Sequence, residues 1–201
     1  MELNGETIQE HIPYYLTQEA KDNLVKVLQD FPRNTPYYTT RHPTAVLQGD
    51  GWSSLVLINY ETGERKKVRG IILSNSCDID PDNKRDIPAK LTFAPIVKLK
   101  HYADLLEQAS VSRERIESKF ESIRTQKITT LFYLPQGAGL DDESVALLDD
   151  IHSVPLMRFF EQEGRTKLFT LHNVGFYLFL LKLSIHFCRF HEELAREDQT
   201  S

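Results

Sequence analysis

The sequence predicts an α+β fold, and three observations predict it. Short β-branched and aliphatic runs fill residues 53–99 and 128–156. A charged stretch at 101–127 carries apolar residues three and four apart. The run from Val174 to Phe190 is apolar almost throughout. The first pattern belongs to strands and the other two belong to helices. The chain has 201 residues, of which 40% are hydrophobic and 26% charged, the balance of a globular domain with enough apolar material for a core.

Taken in order, residues 1–42 form an N-terminal helical extension. "TQEAKDNLVKVLQDF" offers Thr17 as N-cap and apolar Ala20, Leu24, Val27, Leu28 and Phe31 on one face. Pro32 and Pro36 stop that helix, and "YYTTRHP" leads on as extended chain. Residues 43–201 form the main domain. "SSLVLINY" and "VRGIILSN" are strands, and the polar connector "ETGERKK", with Gly63, makes them a hairpin with a basic tip. "KLTFAPIVKL" is a third strand, with an irregularity expected at Pro95. Residues 101–127 read as a helical insertion, with Ile116, Phe120 and Ile123 as its apolar stripe. Strands return in "ITTLFYLP" and within "SVALLDDIHSVPL", separated by the glycine-bearing turn "QGAGLDDE". A long C-terminal helix covers about residues 173–195. It is apolar nearly all round, so it is expected to be covered on more than one side. Any of Phe176, Phe179, Leu183 and Phe187 left uncovered is expected to make a homodimer contact.

The apolar run in that helix is interrupted by Lys182, His186 and Arg189 and is short for a membrane span, so no membrane association is expected. The formal net charge of −5 excludes a whole-protein basic attraction to nucleic acid, but leaves room for a local basic patch. Two cysteines, Cys77 and Cys188, permit one disulfide arithmetically but form no framework. The first residues show no basic segment followed by an apolar run, so a cytoplasmic, reducing location is expected.

Three segments, in this order, resemble the MazF/PemK family of toxin ribonucleases. "QGDGWSSLVLINYETGERKKVRGIILSNS" has a Gly-Asp pair before a strand, a basic loop, and a strand ending in Ser-Asn. "LTFAPIV" is similar to the family's "VAPIT" strand. "YLPQGAGLDDESVALLDDIHSV" is similar to "LP…GL…DSVVLLDQIRTV" and is the most specific of the three. The resemblance implies a small SH3-like, partly open β-barrel with a C-terminal helix, commonly dimeric. It also implies single-stranded RNA as the substrate of a metal-independent endoribonuclease, with an antitoxin or other protein as partner and no cofactor. The sequence departs from the family in several ways. Arg69-Gly70 stands where the family has Arg-Pro, the register from there to Ser74-Asn75 is one residue short, and Val97 replaces the threonine after "API". The helical insertion and the long N-terminal extension are not typical of the compact toxins either.

Metal-free RNA cleavage uses the 2′-hydroxyl as nucleophile and needs a base, an acid and a cation on the phosphate. Arg69 supplies a planar, permanent cation, and Ser74 and Ser76 supply hydrogen-bond donors; these three are the candidate catalytic residues. Arg65, Lys66 and Lys67 are candidates for holding the RNA backbone, with Trp52 or Tyr60 stacking a base. The plain alternative is that "ERKK" is a solvated hairpin tip and Trp52 a core residue. Cys77 and Asp78 form an alternative site, opposed by the acidic neighbours that raise a thiol's pKa. Asp78, Asp80 and Asp82 alternate like the start of a calcium loop. Asn83 and Ala89 occupy that loop's glycine and glutamate positions, so no metal is assigned. Asp150 and His152 are expected on one side of a strand, as an acid–base pair or as a hydrogen-bonded structural pair. The same barrel without catalysis, binding a protein or nucleic acid, is the remaining alternative.

Overall fold

The computed structural model describes residues 36–188. The helix expected within residues 17–31 lies outside them, as does the part of the C-terminal helix beyond Cys188. Eight antiparallel strands build one sheet: β1 (Tyr38–Thr39), β2 (Gly51–Ile58), β3 (Arg65–Ile72), β4 (Lys90–Lys98), β5 (Leu131–Leu134), β6 (Ser144–Leu147), β7 (His152–Pro155) and β8 (Lys167–Leu171). Their order is β1-β8-β2-β3-β4-β6-β5, with β7 also paired to β4, and the sheet curls into a half-barrel. The helices are α1 (Leu99–Gln108), α2 (Arg113–Arg124), α3 (Leu156–Glu161) and α4 (Asn173–Phe187). Among the described residues no helix is long and apolar enough to cross a membrane.

β4 organises the sheet. One edge pairs with β3, from Arg69↔Ile96 to Ile72↔Phe93. The other edge pairs with β7 as far as Phe93 and with β6 from Ile96. Pro95 falls in the gap between those two partners, where a residue without an N–H loses no ladder bond. The irregularity expected at this proline is therefore a change of partner. Alternation along β4 then divides the core. Ala94 and Ile96 pack with Ile71, Phe132 and Ala146 beneath Leu178 and Phe179 of α4. Leu91 and Phe93 pack with Trp52, Leu55 and Ile72 against Leu156 and Phe159 of α3. Val97 and Leu99 meet Tyr133, Val145 and Ile123 of α2.

Other features depart from the sequence reading. β8 was not expected and lies inside the sheet, second in its order, between β1 and β2. β1, in the chain read as extended within residues 1–42, pairs with β8. The insertion is two helices, and it packs on the sheet through Ile123 and Phe120. Along α4, Phe179 is fully buried while Phe176 and Leu183 pack on the core, so the monomer covers all of the apolar positions named above except exposed Phe187.

Gly70 pairs with Trp52 on β2 and with Pro95 on β4. A methyl group there would lie 2.6 Å from Leu55 Cδ1 and 2.8 Å from Phe93 Cδ2, so only glycine fits. Past the end of α2, Gln126 has φ 58° and is buried. Its side-chain amide donates to the Tyr133 carbonyl at 2.9 Å and accepts the Tyr133 N–H at 3.1 Å. The Gln126 carbonyl accepts the buried Lys182 ammonium from α4.

Candidate nucleic-acid interface

The hairpin β2–β3 carries most of the site candidates. It turns through Asn59, whose side chain accepts the Glu61 and Thr62 amides, and through Gly63 at φ 70°. Tyr60 at the tip is 91% exposed, so its ring is free to stack. Arg65, Lys66 and Lys67 open β3, all exposed, and none has an ion-pair partner among the described residues. Arg65 and Lys67 line an open groove of about 780 Å³. Val56, Ile58, Pro155 and Phe159 give that groove apolar walls, and Arg158 adds a third cation, itself paired with Glu161.

Trp52 is not part of this surface. It is 6% exposed, meets Phe159 edge-on at 5.5 Å, and has Lys167 and Arg165 over its ring. A register shift in β2 between Trp52 and Leu55 sets this arrangement, with Trp52 paired to Gly70 and to Lys167. The indole is a core residue, and the stacking role considered for it is corrected.

Arg69 follows Lys67 at the next position on the same side of β3. Its Nη1 donates to Asp141 Oδ1 at 2.9 Å. The other oxygen of that carboxylate, Oδ2, accepts Lys98 Nζ at 2.9 Å, and Lys98 also donates to Asp142 Oδ2 at 2.6 Å. Hydrogen bonds from Lys98 and then Arg69 hold the Asp141 carboxyl well below the usual carboxylate range, while Asp142 and then Asp141 raise the Lys98 ammonium. The acidic turn is fixed in place from beneath. Gly139 N–H donates to the Leu168 carbonyl at 2.7 Å, and a Cβ on Gly139 would stand 2.6 Å from that oxygen. Gln136 donates to the Asp141 carbonyl and Ser144 to the Asp142 carbonyl. Beside it, Glu143 accepts Arg124 Nε and Nη2 and the Tyr133 hydroxyl.

Ser74 and Ser76 lie just past the end of β3, Ser76 at the start of a 3-10 turn. Ser74 Oγ accepts the Thr92 amide at 2.8 Å, and Ser76 Oγ accepts the Gln48 amide at 2.9 Å. Each hydroxyl keeps one O–H to donate. The stretch "ILSNSCDID" leaves β3 and enters a 3-10 turn, Ser76–Ile79, capped by the Asn75 side chain on the Cys77 amide. Cys77 is exposed and free, as is Cys188, so the two form no disulfide. The Cys77 carbonyl is held by Asn83 and Arg85. Asp78 is exposed beside it, and no histidine is hydrogen-bonded to the thiol among the described residues. Asp150 and His152 meet at 2.8 Å, and the imidazole lies on the Phe93 ring, a packed arrangement. Among the described residues no three His, Cys, Asp or Glu side chains group as a metal site.

Lys98 and Asp141 are the site residues that sequence reasoning missed. The signal for Lys98 lay one position beyond Val97, where the strand ends in a cation. In comparisons with known proteins, no family model matches the chain and no curated protein matches it.

Proposed function

We propose that the chain is a MazF/PemK-like protein directed at single-stranded RNA, of the toxin or defence type, on a divergent SH3-like barrel. Its reaction in this reading is metal-independent endonucleolytic cleavage through the 2′-hydroxyl. The observation that carries it is the row of cations on β3. Arg65 and Lys67 stand without ion-pair partners on an apolar-walled groove, and Arg69 already holds an anion. Unpaired cations along a groove track a phosphate backbone, and Tyr60 offers a stacking ring at the tip of the β2–β3 hairpin. Arg69 is the phosphate clamp of this reading, and the free O–H groups of Ser74 and Ser76 are its donors. An antitoxin or a second copy of the chain is the protein partner it implies.

A specific observation favours a second reading, a barrel that binds without cleaving. Val97 has no hydroxyl, the serine oxygens already hold backbone amides, and the carboxylate on Arg69 is a weakened base. Incubating purified protein with mixed-sequence RNA and EDTA, beside Arg69→Ala, separates the two. Discrete cuts lost in the variant support the nuclease. Folded protein that retains RNA but leaves it intact supports the binding barrel.

A further inference from the structure

We infer that Arg69 and Lys98 together form a receptor for one phosphodiester, and that the Asp141 carboxylate is a resident competitor for it. This rests on the RNA-directed reading and adds to it a second cation and an internal inhibitor. The geometry is that of one anion shared by two donors, with Oδ1 on Arg69 Nη1 and Oδ2 on Lys98 Nζ, each at 2.9 Å. The two non-bridging oxygens of a phosphodiester present the same pair of acceptors to the same pair of cations. Arg69 is paired with Ile96 across β3 and β4, and Lys98 lies two residues beyond Ile96, so both heads emerge on one side of the sheet.

The competitor is fixed and the receptor is accessible. The turn bearing Asp141 is pinned to β8 through Gly139 and to itself through Gln136 and Ser144. The side chains of Arg69 and Lys98 remain 38% and 41% exposed, so an incoming phosphate reaches them from solvent. Asp142 holds Lys98 from a second direction, which keeps the ammonium in place when Asp141 is displaced. RNA binding then exchanges an intramolecular carboxylate for a phosphate. The acidic turn sets how strongly the chain holds RNA without touching it.

The test uses the full chain and a fluorescent single-stranded 2′-deoxy oligonucleotide, which cannot be cut through a 2′-hydroxyl. Asp141→Asn is expected to tighten binding by about threefold, the equivalent of releasing an exposed ion pair. Lys98→Met is expected to weaken binding by a similar factor, and Asp141→Asn is expected to have no effect in a chain that also carries Arg69→Ala and Lys98→Met. Unchanged or weaker binding by folded Asp141→Asn overturns the inference, as does tightening that persists in that triple variant. Absence of measurable binding by the wild type and Asp141→Asn also overturns it. Tightening with no cleavage of RNA leaves this inference standing and removes the nuclease. Cleavage of RNA with no effect of Asp141→Asn does the reverse.

Discussion

The wholly buried carboxylate of Asp50 accepts the Lys167 ammonium at 2.8 Å, tying the approach to β2 onto β8. Asp50 also accepts the Leu47 amide, so one side chain closes the turn before the strand. Burial raises its pKa, and the hydrogen bonds from Lys167 and Leu47 only partly offset that.

Asp50→Ala strands the Lys167 charge and is expected to cost about 3–5 kcal/mol in urea unfolding. The raised pKa also sets a pH dependence. The folded state holds this proton more tightly than the unfolded chain does. Its contribution is therefore fully present below the ordinary aspartate value and is lost as pH rises through the folded one. Asp50→Asn is expected to remove that decline, leaving a flatter stability profile above the ordinary aspartate value.

Lys182 has the opposite sign of effect on the same measurement. Burial lowers its pKa from 10.5 to about 7. Between those values the unfolded chain binds more protons, so stability is expected to rise with pH from about 7 towards 10.5. Lys182→Met is expected to abolish that rise in denaturation curves recorded across this range. A rise that persists in the variant assigns it to another group.

Gly70→Ala tests the tight crossing of β2, β3 and β4. The added methyl meets Leu55 and Phe93, and overpacking of this kind is expected to cost about 1–3 kcal/mol. Thermal unfolding of the variant beside Gly63→Ala separates the two effects. A Cβ at Gly63 meets nothing within 4 Å, although φ there is +70°, so its cost reports backbone strain alone.

For RNA binding, Arg65→Ala and Lys67→Ala are each expected to weaken affinity across sequences and to reduce the salt slope by about 0.7 for a single strand. Tyr60→Ala is expected to cost about 1–3 kcal/mol with little change in salt slope, because stacking releases no counterion. Fluorescence titrations at several salt concentrations distinguish the two behaviours.

The hairpin and β4 were legible because they are rich in β-branched and aliphatic residues and are bounded by a glycine turn and prolines. β8 was not. Its five residues, Lys167–Leu171, run directly into the apolar start of α4, and its place beside β2 depends on partners more than a hundred residues away. α3 was hidden for a similar reason, since "SVPL" reads as continuing strand and Pro155 instead ends β7 there. Arg69 could be named from its charge and setting. Its companions could not, because Asp141 is 72 positions from Arg69 and 43 from Lys98 and meets them only through the β4–β6 pairing. Trp52 was ambiguous because an aromatic residue before a strand can face either way, and the shift in β2 decides it.

Gln126 bears on what the sheet does to its neighbours. β5 ends the sheet order, and the backbone of an end strand is a template on which another chain can extend. By giving Tyr133 both a donor and an acceptor, the Gln126 amide imitates the next strand and terminates the ladder at that residue. One side chain at the end of α2 thus occupies the donor and acceptor of Tyr133 that an added strand would otherwise use.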